Sequence, residues 1–170
     1  MISIFLSDEL KDVLKENNIS VHNYIPAYNG ESAGLDLFNC NKDISLIPTQ
    51  YKNVTNEKHY TQHKFKTLIS TGLRLIVPKG YVALVQERGS ITKTPLKVRA
   101  GVIDSGYTGE IFVNCINIGS KPFNLKKGQK LPFQIVVVKC DNNFRVIDEK
   151  EYLTLSSASQ RKEGMVGSSD

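Results

Sequence analysis

The sequence is short of the features that mark membrane, secreted or disulfide-built chains. No apolar run approaches the ~20 residues of a membrane span; one of the strongest, residues 135–138, is four residues long. The N-terminus, MISIFLSDELKD, has no basic leader region and turns acidic early, so no signal peptide is expected. Cysteine is scarce: Cys40, Cys115 and Cys140 are odd in number, widely spaced and without a CxxC pair. That pattern predicts reduced thiols in a cytosolic compartment, and the two in strand-like runs read as small buried hydrophobes. Lysine and arginine (22) outnumber aspartate and glutamate (17), giving a net charge of +5. The densest basic stretch, residues 121–130, holds four lysines around a Gly turn and one aromatic, Phe123. With no stacking platform beside it, it reads as a solvated turn, and nucleic acid is not an expected partner.

What is present is a soluble, core-forming composition: 170 residues, 40% hydrophobic and 23% charged, enough for one domain. Most of the chain reads as short strands. Leu73, Leu75 and Val77 alternate up to Pro78 and Gly80, and Val82 and Leu84 resume the alternation. Ile111, Val113 and Cys115 alternate in EIFVNCINIGS, and KLPFQIVVVKC is a third apolar run. Turn signals recur at Asn29-Gly30, Thr71-Gly72, Lys79-Gly80, Ser105-Gly106, Gly119-Ser120 and Lys127-Gly128. Strands punctuated this way predict a β-sandwich, jelly roll or barrel. A short N-terminal helix is expected over residues 7–14, capped by Ser7 with Leu10, Val13 and Leu14 on one face. Residues 47–66 are polar, contain His59 and His63, and read as a long loop or hairpin insertion. The tail, 156–170, is small, polar and Gly-rich, so a mobile arm following a domain of residues 1–155 is expected.

Five segments in order carry the chemistry: AGLDLF (33–38), ERGSITKTPL (87–96), AGVIDSGYTGE (100–110), GQKLPFQIVV (128–137) and RKEGMVGSS (161–169). The series resembles the trimeric dUTP pyrophosphatase (dUTPase) family, which hydrolyses dUTP to dUMP and pyrophosphate, and the resemblance suggests a phage or bacterial member. The resemblance spans about residues 25–169. It implies an all-β, jelly-roll-like distorted barrel, a homotrimer with shared active sites, Mg²⁺, and a location in the cytoplasm (the host's, if phage-encoded). Phosphoryl transfer independently asks for a positioned water, a base for its proton, and groups that hold anionic oxygens.

By resemblance, Asp104 is the base, activating water for attack on the α-phosphorus. Tyr107 is a sugar gate that excludes a ribose hydroxyl, and the turn that follows Asp104 reads uracil through backbone groups. Gly101 belongs to the same substrate-binding segment. Arg88, Gly89 and Ser90 suit phosphate oxygens, although most of the family reads Arg-Ser-Gly where this chain has Arg-Gly-Ser. Gln134 is expected on phosphate, and Asp36 in the second shell of Mg²⁺ through a water. Arg161, Gly167, Ser168 and Ser169 match an arm that closes over the nucleotide; Val166 stands where the family usually has a stacking Phe.

Two rival readings share much of this pattern. A dCTP deaminase relative would place a catalytic Glu where this chain has Asn114, and an amide cannot serve as that base. A dUTPase-like regulatory protein would bind a protein partner, with residues 47–66 as the natural surface.

Overall fold

In a computed structural model, which describes residues 2–25, 32–49, 68–141 and 143–158, alternation becomes two antiparallel four-stranded sheets. The first sheet has the order β1-β4-β8-β6: β1 (Ser3–Leu6), β4 (Leu68–Ile76), β8 (Glu110–Asn117) and β6 (Leu96–Val98). The second has the order β2-β10-β5-β7: β2 (Gly34–Phe38), β10 (Lys130–Lys139), β5 (Tyr81–Glu87) and β7 (Val102–Ile103). A small third sheet pairs β3 (Ile44–Leu46) with β9 (Phe123–Leu125). The fold is all-β and jelly-roll-like, as expected.

Period 2 explains the core. Leu73, Leu75 and Val77 at and just beyond the end of β4, and Ile111, Val113 and Cys115 of β8, are all buried. Leu131, Phe133 and Ile135 of β10 meet them, with Leu35 and Leu37 of β2 in the same cluster. In β5 the phase differs from the sequence reading: Ala83 and Val85 are buried, whereas Val82 and Leu84 are only half-buried. Residues 81–85 are apolar at every position, so alternation alone does not fix which set faces inward. The register does, by aligning Ala83 with Val137 and Ile103, and Val85 with Ile135.

Thr71-Gly72 is likewise no turn. It is a bulge inside β4, where the register against β8 shifts between Ser70 and Arg74. Gly72 sits at φ +63°, and a Cβ there would lie 2.6 Å from Ser7 Oγ and 2.9 Å from Leu10 Cβ. The bulge therefore seats the N-terminal helix against the sheet.

That helix, α1 (Asp8–Glu16), starts as its sequence predicts: the Ser7 hydroxyl accepts the Leu10 N–H at 3.2 Å, and Leu10, Val13 and Leu14 are fully buried. Among the described residues, two further helices had no signal strong enough to read, α2 (Val21–Tyr24) and α3 (Glu149–Ser157). The Asp148 side chain caps α3 through the Glu151 N–H at 2.8 Å. No residue of α3 is buried, so the helix lacks the apolar stripe by which sequence would reveal it. Among the described residues, no helix is long and apolar enough to cross a membrane. Cys40 and Cys115 are buried, and burial pushes both thiols up to about 12, which makes them inert packing groups.

Candidate active site

One cluster forms around the end of β7. Ala100 (φ +57°) and Gly101 (φ +148°) turn the chain into that strand, and Gly101 O accepts the Val85 N–H at 2.8 Å. A Cβ on Gly101 would lie 3.0 Å from Val85 O, in a backbone region that L residues rarely adopt. Gly101→Ala is therefore expected to destabilise the fold by about 1–3 kcal/mol, read as a shifted urea midpoint. An unchanged midpoint would show that this turn accommodates a side chain.

Asp104 directly follows β7 and is exposed. Its carbonyl accepts the Tyr107 N–H at 3.0 Å, closing a tight turn. The Tyr107 hydroxyl donates to Glu110 O at 2.7 Å, which ties the ring back to the start of β8. The ring lies across Gly109, where a Cβ would be 2.7 Å from Tyr107 Cζ; glycine is what lets it lie there. Tyr107 stays 45% exposed, so the residue is accessible to a ligand. Asp104 and Tyr107 border a cleft of about 290 Å³ that also has Arg99, Gly101 and Asn114 in its wall. Glu110 lines it too, but its carboxylate accepts from Ser70 Oγ (2.5 Å) and Gly72 N–H (3.0 Å) and so serves the β4 bulge. Of the two acids in this segment, Asp104 is the one presented to solvent.

A second cluster forms at the other end of β5. In β10 the register against β2 slips between Lys130 and Gln134, a bulge that contains Pro132. Arg88 uses the carbonyls there: its N–H donates to Pro132 O (2.9 Å) and its Nη1 to Leu131 O (3.3 Å). Arg88 Nε pairs with Asp36 Oδ1 at 2.6 Å, and Lys130 Nζ pairs with Asp36 Oδ2. Asp36 stands opposite Gln134 in the register, and its carbonyl accepts the hydroxyl of buried Tyr24 at 2.7 Å. The Gln134 amide donates to Glu87 O at 3.4 Å and fills the space over Gly34, where a Cβ would lie 2.0 Å from Oε1. Gly89 and Ser90 are exposed on a 3-10 turn, Gly89–Lys93, with open space beside Gly89.

The structure thus unites Gly101, Asp104 and Tyr107, and separately unites Asp36, Arg88, Gly89, Ser90 and Gln134. It does not unite the two groups within one chain. Ile103 pairs with Ala83, so Asp104 lies beside Val82. Arg88 is six residues further along the chain, just past the end of β5, about 20 Å away at ~3.3 Å per residue. Arg161, Gly167, Ser168 and Ser169, and the proposed insertion from residue 50 onward, lie outside the described residues.

Sequence reasoning missed Lys130 and Tyr24. Lys130 was grouped with the solvated turn lysines, yet it is the first residue of β10 and is paired to Asp36. Its place just before LPFQ, rather than inside the turn, was the available signal. Among the described residues, no group of three or more His, Cys, Asp or Glu could hold a metal directly. Each Asp36 oxygen faces a cation and retains a lone pair, which suits a carboxylate that touches a metal only through water.

The dUTPase family model matches residues 22–170. The chain is 40% identical over 110 residues to the deoxyuridine 5'-triphosphate nucleotidohydrolase of Dictyoglomus turgidum, covering 59% of this chain and 67% of that protein. With the Gloeobacter violaceus protein of the same name, identity is 34% over 146 residues, covering 81% and 82%. The chain spans 59% of the Escherichia phage T5 protein of that name, at 39% identity over 49% of its own length. Among solved structures it is similar to native EIAV dUTPase (TM-score 0.59, 27% identity, 88% of this chain and 98% of that one). A mutant of the Staphylococcus bacteriophage 80alpha dUTPase with dUpNHpp shares the fold at TM-score 0.67, with 21% identity over 99% and 98%. The family match takes in the β7 cleft and the Asp36–Arg88–Gln134 end of the sheet alike, and the chain belongs to the dUTPase family.

Proposed function

We propose that the protein hydrolyses dUTP to dUMP and pyrophosphate, with Asp104 removing a proton from the water that attacks the α-phosphorus. The observation that carries this reading is the β7 cleft. A solvent-facing carboxylate is held at the end of a paired strand, three residues from an aromatic ring that is itself tied down. A base fixed by backbone geometry, with no ion-pair partner among the described residues, is ready to act on water. Tyr107 presents its ring to the deoxyribose and leaves no room for a 2′-hydroxyl, while the 104–109 turn offers backbone groups to uracil.

Arg88, Ser90 and the Gln134 amide then bind phosphate oxygens, and Gly89 allows close backbone approach. Because this cluster lies so far from Asp104 in one chain, the complete site forms between subunits, consistent with a homotrimer. Mg²⁺ would ride on the triphosphate, neutralising its charge, with Asp36 touching it only through water. Arg161, Gly167, Ser168 and Ser169 supply the closing arm. In the cytoplasm the product would feed thymidylate synthesis while dUTP is kept from DNA. Asn114 in the cleft wall favours hydrolysis over deamination, since an amide cannot take a proton from water.

Incubation with dUTP, dCTP, dTTP and UTP in the presence of Mg²⁺, with products resolved, tests the reading. dUMP and pyrophosphate from dUTP alone are expected; ammonia from dCTP, or intact dUTP, would overturn it. Tyr107→Ala is expected to raise the UTP/dUTP ratio of kcat/KM by about 10–100-fold, the discrimination one steric contact provides. An unchanged ratio would locate selectivity elsewhere.

A further inference from the structure

We propose that Lys130 is a positioning residue: it shares Asp36 with Arg88, so Arg88 can leave Asp36 for a triphosphate without stranding the carboxylate. The inference rests on the phosphate-binding reading of Arg88.

Three side chains form the device. Asp36 is flanked by two cations, one on each oxygen, so the cluster carries a net positive charge. The Arg88 and Asp36 side chains are only 26% and 29% exposed, so their attraction is screened less than at an open surface. An arginine clamped to a single carboxylate there would bind phosphate poorly, because leaving would abandon a partly desolvated charge. Lys130 removes that obstacle. Its side chain is more exposed, 41%, and its compact charge on a flexible stem can follow the carboxylate.

The β10 bulge limits what must move. Arg88 is anchored through its N–H to Pro132 O and through Nη1 to Leu131 O, contacts that do not involve Asp36. Only the Nε–Asp36 contact has to open. Lys130 stands at the start of the same bulge, so anchor and counter-ion are set by one irregularity of the strand.

Hydrogen exchange of the Arg88 Nε–H, read by NMR on ligand-free protein, tests the sharing directly. In Lys130→Ala the carboxylate turns wholly to Arg88 and protection is expected to rise; in Asp36→Asn it is expected to fall. Unchanged protection in Lys130→Ala overturns the inference. Steady-state kinetics give a second reading: Lys130→Ala is expected to raise KM for dUTP about tenfold with kcat within about twofold. Lys130→Arg should restore KM, and Lys130→Met, which keeps the apolar stem but not the charge, should show the same tenfold rise in KM with the fold intact even where the alanine variant folds poorly. In an Asp36→Asn background, Lys130→Ala should add nothing. A full additional KM effect there would mean that Lys130 meets phosphate itself, which overturns the positioning role. If the wild type does not hydrolyse dUTP, the functional reading fails, while the exchange measurement still decides the Lys130–Asp36–Arg88 coupling.

Discussion

Asp104→Asn is expected to keep the fold and nucleotide affinity while lowering kcat by about 10²-fold or more, equivalent to about 2.7 kcal/mol in the barrier. The fold should survive because the carboxylate has no hydrogen-bond or ion-pair partner among the described residues. The turn is closed by the backbone carbonyl of residue 104, which an asparagine retains, and the side chain is exposed rather than part of the core. Affinity should survive because the amide is nearly the same size and, on the proposed reading, the phosphates are held by the other cluster. What is lost is the ability to accept a proton from water. Turnover of dUTP, dissociation constants for dUpNHpp and melting curves, measured together, separate these contributions. Turnover near that of wild type would remove Asp104 from the base role.

Local rules made much of the fold legible. The Ser7 cap and the Leu10, Val13, Leu14 face specify α1 from neighbours within two turns. The alternation in β4 and β8 puts Leu73, Leu75, Ile111, Val113 and Cys115 inside because polar residues separate most of them. Where the pattern was ambiguous, long-range pairing decided. The phase of β5 depends on β7 and β10, and the bulge at Gly72 depends on a carboxylate from Glu110, 38 residues away. α3 has no buried face, so it left no amphipathic trace.

The site divides similarly. Asp104, Tyr107, Arg88, Gln134 and Asp36 stand in motifs that a sequence comparison can read one by one. Their grouping follows from strand register. Only the pairing of Ile103 with Ala83 shows that Asp104 and Arg88 flank opposite ends of β5. Lys130 escaped notice for the same reason, since its partner on β2 lies almost a hundred residues earlier in the chain.

Co-expression of Asp104→Asn chains with Arg88→Ala chains is expected to restore about a quarter of wild-type activity, although each variant alone is nearly inactive. The argument begins with distance. If Asp104 activates water and Arg88 binds phosphate, as proposed, both must act on one triphosphate within a few ångströms, whereas in a single chain about 20 Å of strand separates them. On the proposed reading one chain presents two half-sites, and a cyclic assembly would complete them by joining the β7 cleft of one subunit to the Arg88 end of another. In a random mixture, about half of all clefts keep Asp104 and about half of all Arg88 ends keep their arginine, so about a quarter of sites are intact. Neither substitution touches the core, so mixed oligomers should assemble as the wild type does. The measurement is dUTP turnover by the co-purified, doubly tagged mixture, compared with each variant alone. If the site were complete within one chain, no combination would repair it, and the mixture would show only the average of two residual activities. That outcome would refute the shared site.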